Sequence, residues 1–251
     1  MINDYTVIDL ETTGLNPKLD KIIEIGGVKV REGSVVEEFN TFVNPGRKLS
    51  ERIIDLTGIT DEEVEKAPYI EEILPEFLAF IGEDILLGHN LIFDYSFVKK
   101  AVVNQKLTFE KMGIDTLRIA RRFLTDLESR NLGFLCNHYG ISLSAHRACN
   151  DARATHELYQ KMAEQFYEKE NTTFGPIALN YQVKRETPIT PRQKSFLLSI
   201  VARNGIGIEE TKEAVYIKPD HICIMQETDV NKMTKNEASR LIDHLLSNYG
   251  R

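Results

Sequence analysis

The sequence predicts an α/β protein: a layered domain with a central sheet, followed by a small, mainly helical C-terminal domain. Three observations carry that expectation. Strand-like stretches rich in β-branched and aromatic residues fill the first 43 positions. Helical spacing then takes over, interrupted by one short apolar run, Ile85-Leu86-Leu87, of the kind found in buried strands. Strands first and helices afterwards, with a strand lying between helices, is the order of a layered α/β domain. Finally, the polar run Glu168-Lys169-Glu170-Asn171-Thr172-Thr173, with Gly175-Pro176 and Pro188 after it, separates the last helices from the rest. The expected division is a domain over residues 1–168, a linker over 169–187 and an accessory domain over 188–251.

Residues 5–10 read as the first strand, ended by Thr12-Thr13-Gly14. Residues 21–31 and 35–43 form two more, and the turn chemistry of Glu32-Gly33-Ser34 makes them a hairpin. Asn44-Pro45-Gly46 breaks the pattern. Ile73, Leu74, Phe77, Leu78, Phe80 and Ile81 follow at helical spacing, with Pro75 near the first turn. After residues 85–87, Gly88-His89-Asn90 leads into a helix holding Asp94, Phe97, Val98 and Ala101. Helices are expected over about 116–124 and 131–139, and a long one over 150–168 with Leu158, Met162 and Phe166 on one stripe.

Carboxylates at particular places turn this frame into a site. Side chains alternate along a strand, so Asp9 and Glu11 share a face at the end of the first strand. Two acids there repel unless a cation lies between them, and hard oxygen ligands favour Mg²⁺ or Mn²⁺. The plainer reading makes both of them solvated strand-edge acids. Asp151 lies four before Thr155 and seven before Leu158, on the buried stripe of its helix. An acid there is costly unless it is paired or binds metal. Asp94 falls in the first turn of its helix, where a dipole partner or a cap is an equal alternative. His146 stands five residues before Asp151.

Three segments carry a family resemblance: Asp9-Leu10-Glu11-Thr12-Thr13-Gly14-Leu15, His89-Asn90-Leu91-Ile92-Phe93-Asp94 and His146-Arg147-Ala148-Cys149-Asn150-Asp151. Asp115-Thr116-Leu117 and Asn131-Leu132 are smaller echoes. In this order they resemble the DnaQ-like 3′→5′ exonucleases of the DEDDh type, which include the polymerase III epsilon proofreading subunit. The resemblance covers roughly residues 1–168 and implies an RNase H-like three-layer fold with a mixed central sheet. It implies two Mg²⁺ or Mn²⁺ ions: Asp9 bridging, Glu11 and Asp151 completing one position, Asp94 holding the other. By the same resemblance His146 takes a proton from the attacking water, and the substrate is nucleic acid, expected as single-stranded or frayed DNA 3′ ends. Thr13 and the backbone at Gly14 would hold the terminal sugar, Leu15 and Ile92 would wedge against its base, and Asn90 would position the strand. Thr13 and Gly14 equally end a strand, and Leu15 and Ile92 are equally readable as core. Glu24, inside the second strand, reads as a local polar partner rather than a further ligand. Competing readings are an exoribonuclease trimming RNA 3′ ends and a binding scaffold that has lost turnover. A DNA polymerase or another replication or repair protein is the expected protein partner.

Composition narrows the rest. A 251-residue chain is long enough for a substantial core. No long uninterrupted apolar run occurs, so a membrane span is not expected. The first strand is expected from residue 5, so a signal peptide is not expected. Three cysteines, Cys136, Cys149 and Cys223, have neither C-x-x-C spacing nor the even count of a disulfide framework, so a reducing, cytoplasmic setting is expected. A zinc site from Cys136, His138, His146 and Cys149 matches no structural zinc spacing. The net charge of −7 is uneven: residues 185–251 carry 10 Lys and Arg against 9 Asp and Glu, which leaves −8 on the first 184. Acidity excludes a surface that binds polyanions throughout, yet bound divalent cations reverse the sign locally.

In the tail, Thr190-Pro191-Arg192-Gln193 opens a helix with Phe196, Leu197, Ile200 and Val201 on its apolar face. Thr234-Lys235-Asn236-Glu237 opens another. Short strands are expected over 214–217 and 222–225. Arg192, Lys194 and Arg203 gather on or beside the first tail helix, which suggests that it holds nucleic acid or a partner; a docking appendage is the alternative.

Overall fold

The computed structural model describes residues 1–203, 217–218, 221–222, 230–231 and 233–249. They divide into two compact units, residues 1–45 with 49–183, and residues 46–48 with 184–251.

The first unit is built on a mixed six-stranded sheet in the order β3-β2-β1-β4-β5-β6. Its strands are β1 (Tyr5–Thr12), β2 (Ile22–Arg31), β3 (Ser34–Phe42), β4 (Leu86–Gly88), β5 (Met112–Asp115) and β6 (Ile177–Ala178). β1, β2 and β3 run antiparallel, as the expected hairpin requires. Between β2 and β3, Glu32 (φ 50°) and Gly33 (φ 76°) both take positive φ, the geometry of a two-residue turn whose twist matches the strands it joins. β4 and β5 continue the sheet in parallel with β1, and β6 closes the edge antiparallel to β5.

Alternation along β1 decides which residues meet which layer. Tyr5 and Val7 pack with residues of α5 (Thr116–Phe123), α6 (Leu132–Tyr139) and α7 (Ala148–Phe166). Ile8 and Leu10 pack on the opposite side with α3 (Ile70–Ile81) and α4 (Ile92–Asn104). The sheet is therefore the middle of three layers. Asp9 and Glu11 are in phase with Tyr5 and Val7, so they emerge on the α7 side. Pro75 inside α3 cannot donate to the carbonyl of Glu71, and the Gln105 side chain at the end of α4 donates to it instead (3.3 Å).

Three departures from the sequence expectation have physical causes. First, α1 (Glu51–Thr57) and α2 (Asp61–Glu65) fill a stretch for which no element was expected. They bury Ile53, Ile59 and Val64 against Ile23 and Leu49, and α2 opens on a Thr60–Glu63 capping box. Second, β5 is short, and its Met112-Gly113-Ile114 core carries too little pattern to stand out. Third, the first half of the stretch expected as a linker, 169–187, carries structure. A 3₁₀ turn, Asn171–Phe174, buries Phe174 against Phe123 and Tyr159, and β6 pairs with β5. Two apolar anchors, Phe174 and Leu179, hold a segment whose average composition is polar.

The second unit contains α8 (Pro191–Arg203), β7 (Ile217–Lys218), β8 (His221–Ile222) and α9 (Lys235–Tyr249). Thr190 with Gln193, and Thr234 with Glu237, form the reciprocal caps that open α8 and α9. Leu197, Ile200, Val201, Val230, Leu241, Ile242 and Leu245 make its core. Of the strands expected over 214–217 and 222–225, Ile217 and Ile222 fall in β7 and β8; the other positions, Cys223 among them, lie outside the described residues. Among the described residues no helix is long and apolar enough to cross a membrane.

Candidate active site

Four elements converge at the end of β1. Asp9 sits opposite Gly26 of β2 and Glu11 opposite Glu24. A side chain at Gly26 is impossible without displacing α7, because its Cβ would lie 2.1 Å from the carbonyl carbon of Ala148. The bare glycine lets the first turn of α7 rest on β2, and that contact carries Asp151 to the strand acids. Carboxylate oxygens of Asp9, Glu11 and Asp151 all lie within 4.8 Å of one another. Asp94 comes from the other layer, at the start of α4, and lies outside that mutual group. Its Oδ1 accepts the backbone N–H of Leu10 (3.0 Å), the residue between the two strand acids. Asp94 and Asp151 are buried; Asp9 and Glu11 are half-buried.

The electrostatics of this group are unbalanced. Burial, then Asp94, Asp151, Glu11 and Glu24, holds the Asp9 carboxyl well above the usual range. Glu11 is pushed up to about 8 by burial and then by Asp151 and Glu24, with only the Arg147 charge opposing. Burial likewise raises Asp94, against the N–H donors it accepts. Asp151 is raised by burial although the backbone of Arg147 and the charge of His146 pull it down. Arg147 is itself paired with Glu24 (3.3 Å). Close-set hard oxygens that the protein leaves uncompensated suit a divalent cation, which restores all of them to the ionised state. The residues present therefore fit the metal the acidic motifs imply.

Two loops border the acids. In the first, the Asp20 carboxylate accepts the Asn16 N–H (2.9 Å) and the Thr13 hydroxyl (3.4 Å), and lies where a Cβ on Gly14 would be, 2.6 Å away. The Thr13 hydroxyl also accepts the Lys21 N–H (3.0 Å), so it closes the loop. Leu15 at the tip is 81% exposed. In the second loop, Asn90 takes φ 66° and donates its N–H to Asp115 (3.0 Å). His89 is fixed between the Thr116 hydroxyl (2.9 Å) and the Arg130 carbonyl (2.8 Å). Ile92, the first residue of α4, is 39% exposed. The core alternative for Leu15 and Ile92 is thus corrected: both present apolar surface to solvent.

His146 is exposed, in the turn before α7, with φ 65°. Asp115 and Asn131 cap α5 and α6 through the N–H groups of Leu117 (2.9 Å) and Phe134 (2.8 Å), which gives the smaller motif echoes a structural job. In α6, Cys136 is buried and His138 exposed, so the zinc alternative has no common face to stand on. Two residues at the site had no role in the sequence reading, Asp20 and Arg147. The signal for Asp20 was an acid shortly after Gly14; Arg147 was inside a motif and was passed over.

The exonuclease family model RNase_T matches residues 6–159. The chain is 36% identical over 218 residues to a PolC-type DNA polymerase III of Clostridium perfringens, an alignment covering 85% of this chain and 15% of that protein. It spans about 15% of the length of the curated relatives it matches. Among solved structures, Exonuclease X in complex with 5′-overhanging duplex DNA shares the fold at a TM-score of 0.55, with 24% identity, covering 68% of this chain and 99% of that one. The nuclease domain of 3′hExo, a DEDDh family member bound to rAMP, gives 0.58 with 20% identity, covering 72% and 98%. With more than half of its residues in the match, and with the acidic motifs in their expected order, the chain belongs to the DnaQ-like exonuclease family.

Proposed function

We propose that this protein is a metal-dependent 3′→5′ exonuclease that releases nucleoside 5′-monophosphates from single-stranded or frayed DNA. The observation that carries the reading is the convergence of Asp9, Glu11 and Asp151, with Asp94 tied to the strand between the first two. Asp9, Glu11 and Asp151 would hold one Mg²⁺ or Mn²⁺, and Asp94 with Asp9 a second. When bound, two such ions supply an activated water and charge stabilisation for in-line displacement at phosphorus. His146 takes the proton of the attacking water; its place beside Asp151 suits a general base. The exposed Leu15 and Ile92 offer apolar surface against the terminal base, and the loop at Thr13 and Gly14 brings backbone groups to its sugar. Asn90 positions the strand.

The likeness to PolC-type DNA polymerase III supports DNA over RNA as substrate, and work beside a replicative polymerase. The test is incubation of the purified protein with 5′-labelled DNA and RNA of equal sequence, with Mg²⁺, with Mn²⁺ and in excess chelator. DNA ladders should shorten one nucleotide at a time from the 3′ end, only with metal. Degradation that survives chelator, or that proceeds from the 5′ end, refutes the reading; faster loss of the RNA moves the substrate to RNA.

A further inference from the structure

One buried carboxylate at the site has no part in the proposed chemistry. Glu24 is 1% exposed and stands opposite Glu11 in the β1–β2 register. Both of its oxygens are engaged by the segment entering α7: Oε1 accepts Arg147 Nε (3.3 Å), and Oε2 accepts the Ala148 N–H (3.1 Å). The Arg147 guanidinium also lies 5.2 Å over the Phe42 ring, and the Arg147 backbone N–H donates to Asp151 (3.0 Å). Arg147 is thus held by main chain and side chain at once. The residue immediately before it is His146, whose φ of 65° is unfavourable for a side chain with a Cβ. Such a conformation persists only where its surroundings over-determine it.

We propose that Glu24 and Arg147 are positioning residues: their ion pair, closed by the Ala148 N–H, fixes the backbone at His146 and so holds its imidazole beside Asp151. This rests on the reading of His146 as the general base. Catalysis by a positioned base is lost when the base wanders, so the latch acts on kcat and not on the binding of DNA.

Glu24→Gln is the informative change. An amide puts an acceptor at only one of the two oxygen positions and an N–H₂ donor at the other, so one of the two N–H groups that converge on Glu24 would face a donor. One arm of the latch must open while side-chain volume is conserved. The experiment measures E24Q in the full-length protein, alone and combined with H146A, on a short oligonucleotide with Mg²⁺. E24Q should lower kcat about tenfold, within the roughly 10²–10⁴-fold that a positioned base contributes, with KM within about twofold. In the H146A background the same change should alter kcat by less than about twofold. Hydrogen exchange over residues 144–147 in metal-free protein should quicken in E24Q. Equal losses in both backgrounds overturn the proposal and assign Glu24 to the carboxylate cluster; an E24Q enzyme with wild-type kcat overturns it too. Should E24Q fail to fold, R147M, which keeps the apolar stem and removes the charge, carries the same cycle with the same outcomes. An H146A enzyme of wild-type rate strikes the general-base reading instead, and the exchange measurement then still reports whether the latch fixes the loop.

Discussion

The two units bury different things. Every buried polar or charged residue among those described lies in the first unit: Glu24, Asp94, Lys99, Asp151 and His156 are examples. In the second unit the described buried residues are apolar, from Leu197 on α8 to Leu245 on α9. Burying charge is expensive, and two of the first unit's buried charges meet an opposite charge. Lys99 meets Glu110 at 2.5 Å, and Glu24 meets Arg147. Asp9, Glu11 and Asp151 differ, since each has the other two acids among its neighbours. A protein that tolerates such a group is holding it for something not supplied by the chain. Among the described residues, the contrast separates buried groups placed for chemistry from buried groups placed for packing.

The largest effect should come from Asp9. Asp9→Asn removes a proposed metal-bridging carboxylate, and losing electrostatic stabilisation worth several kcal/mol should lower turnover by about 10³-fold. In chelator the same change relieves like-charge repulsion, so thermal unfolding should hold its midpoint or rise, by about 2–4 °C per kcal/mol relieved. A variant that loses Tm together with activity would place Asp9 among ordinary structural core residues and dissolve the contrast.

A smaller effect is expected from the second unit. Deleting residues 184–251 should weaken capture of DNA by about tenfold, through lost effective concentration, with kcat on short oligonucleotides within about twofold. The motive is the less acidic tail and the absence of acids from α8, which carries Arg192, Lys194 and Arg203. Lost kcat with a large fall in Tm would mean that the second unit supports the fold of the first.

The smallest effect concerns His156, buried on α7 with Nδ1 2.9 Å from the Tyr5 hydroxyl. Burial lowers its pKa below the usual 6.5. Between that lowered value and 6.5 the unfolded chain takes up a proton that the fold refuses, so stability falls as pH falls. What His156 contributes is intact above about pH 6.5 and is lost progressively below it. A ring titration followed by NMR should give a midpoint under 6.5; a midpoint at or above it would mean that the core of the first unit accepts this charge as readily as water does.

The sequence by itself determined a good deal of this protein. Period-two alternation placed Asp9 and Glu11 on one face, and helical spacing put Asp151 on a buried stripe, because both periods are local properties of the backbone. The Glu-Gly turn of the β2–β3 hairpin and the Thr-x-x-Gln and Thr-x-x-Glu caps of the tail were legible for the same reason. Tertiary structure decided what composition could not. Phe174 and Leu179 pull a polar stretch onto the sheet edge, since two apolar anchors outweigh an average. Gly26 reveals its purpose only when Ala148 is seen against it. Glu24 and Arg147 stand 123 positions apart, and no local period can bring such residues together. The strand register and the packing of α7 do that, by closing a layer over the sheet.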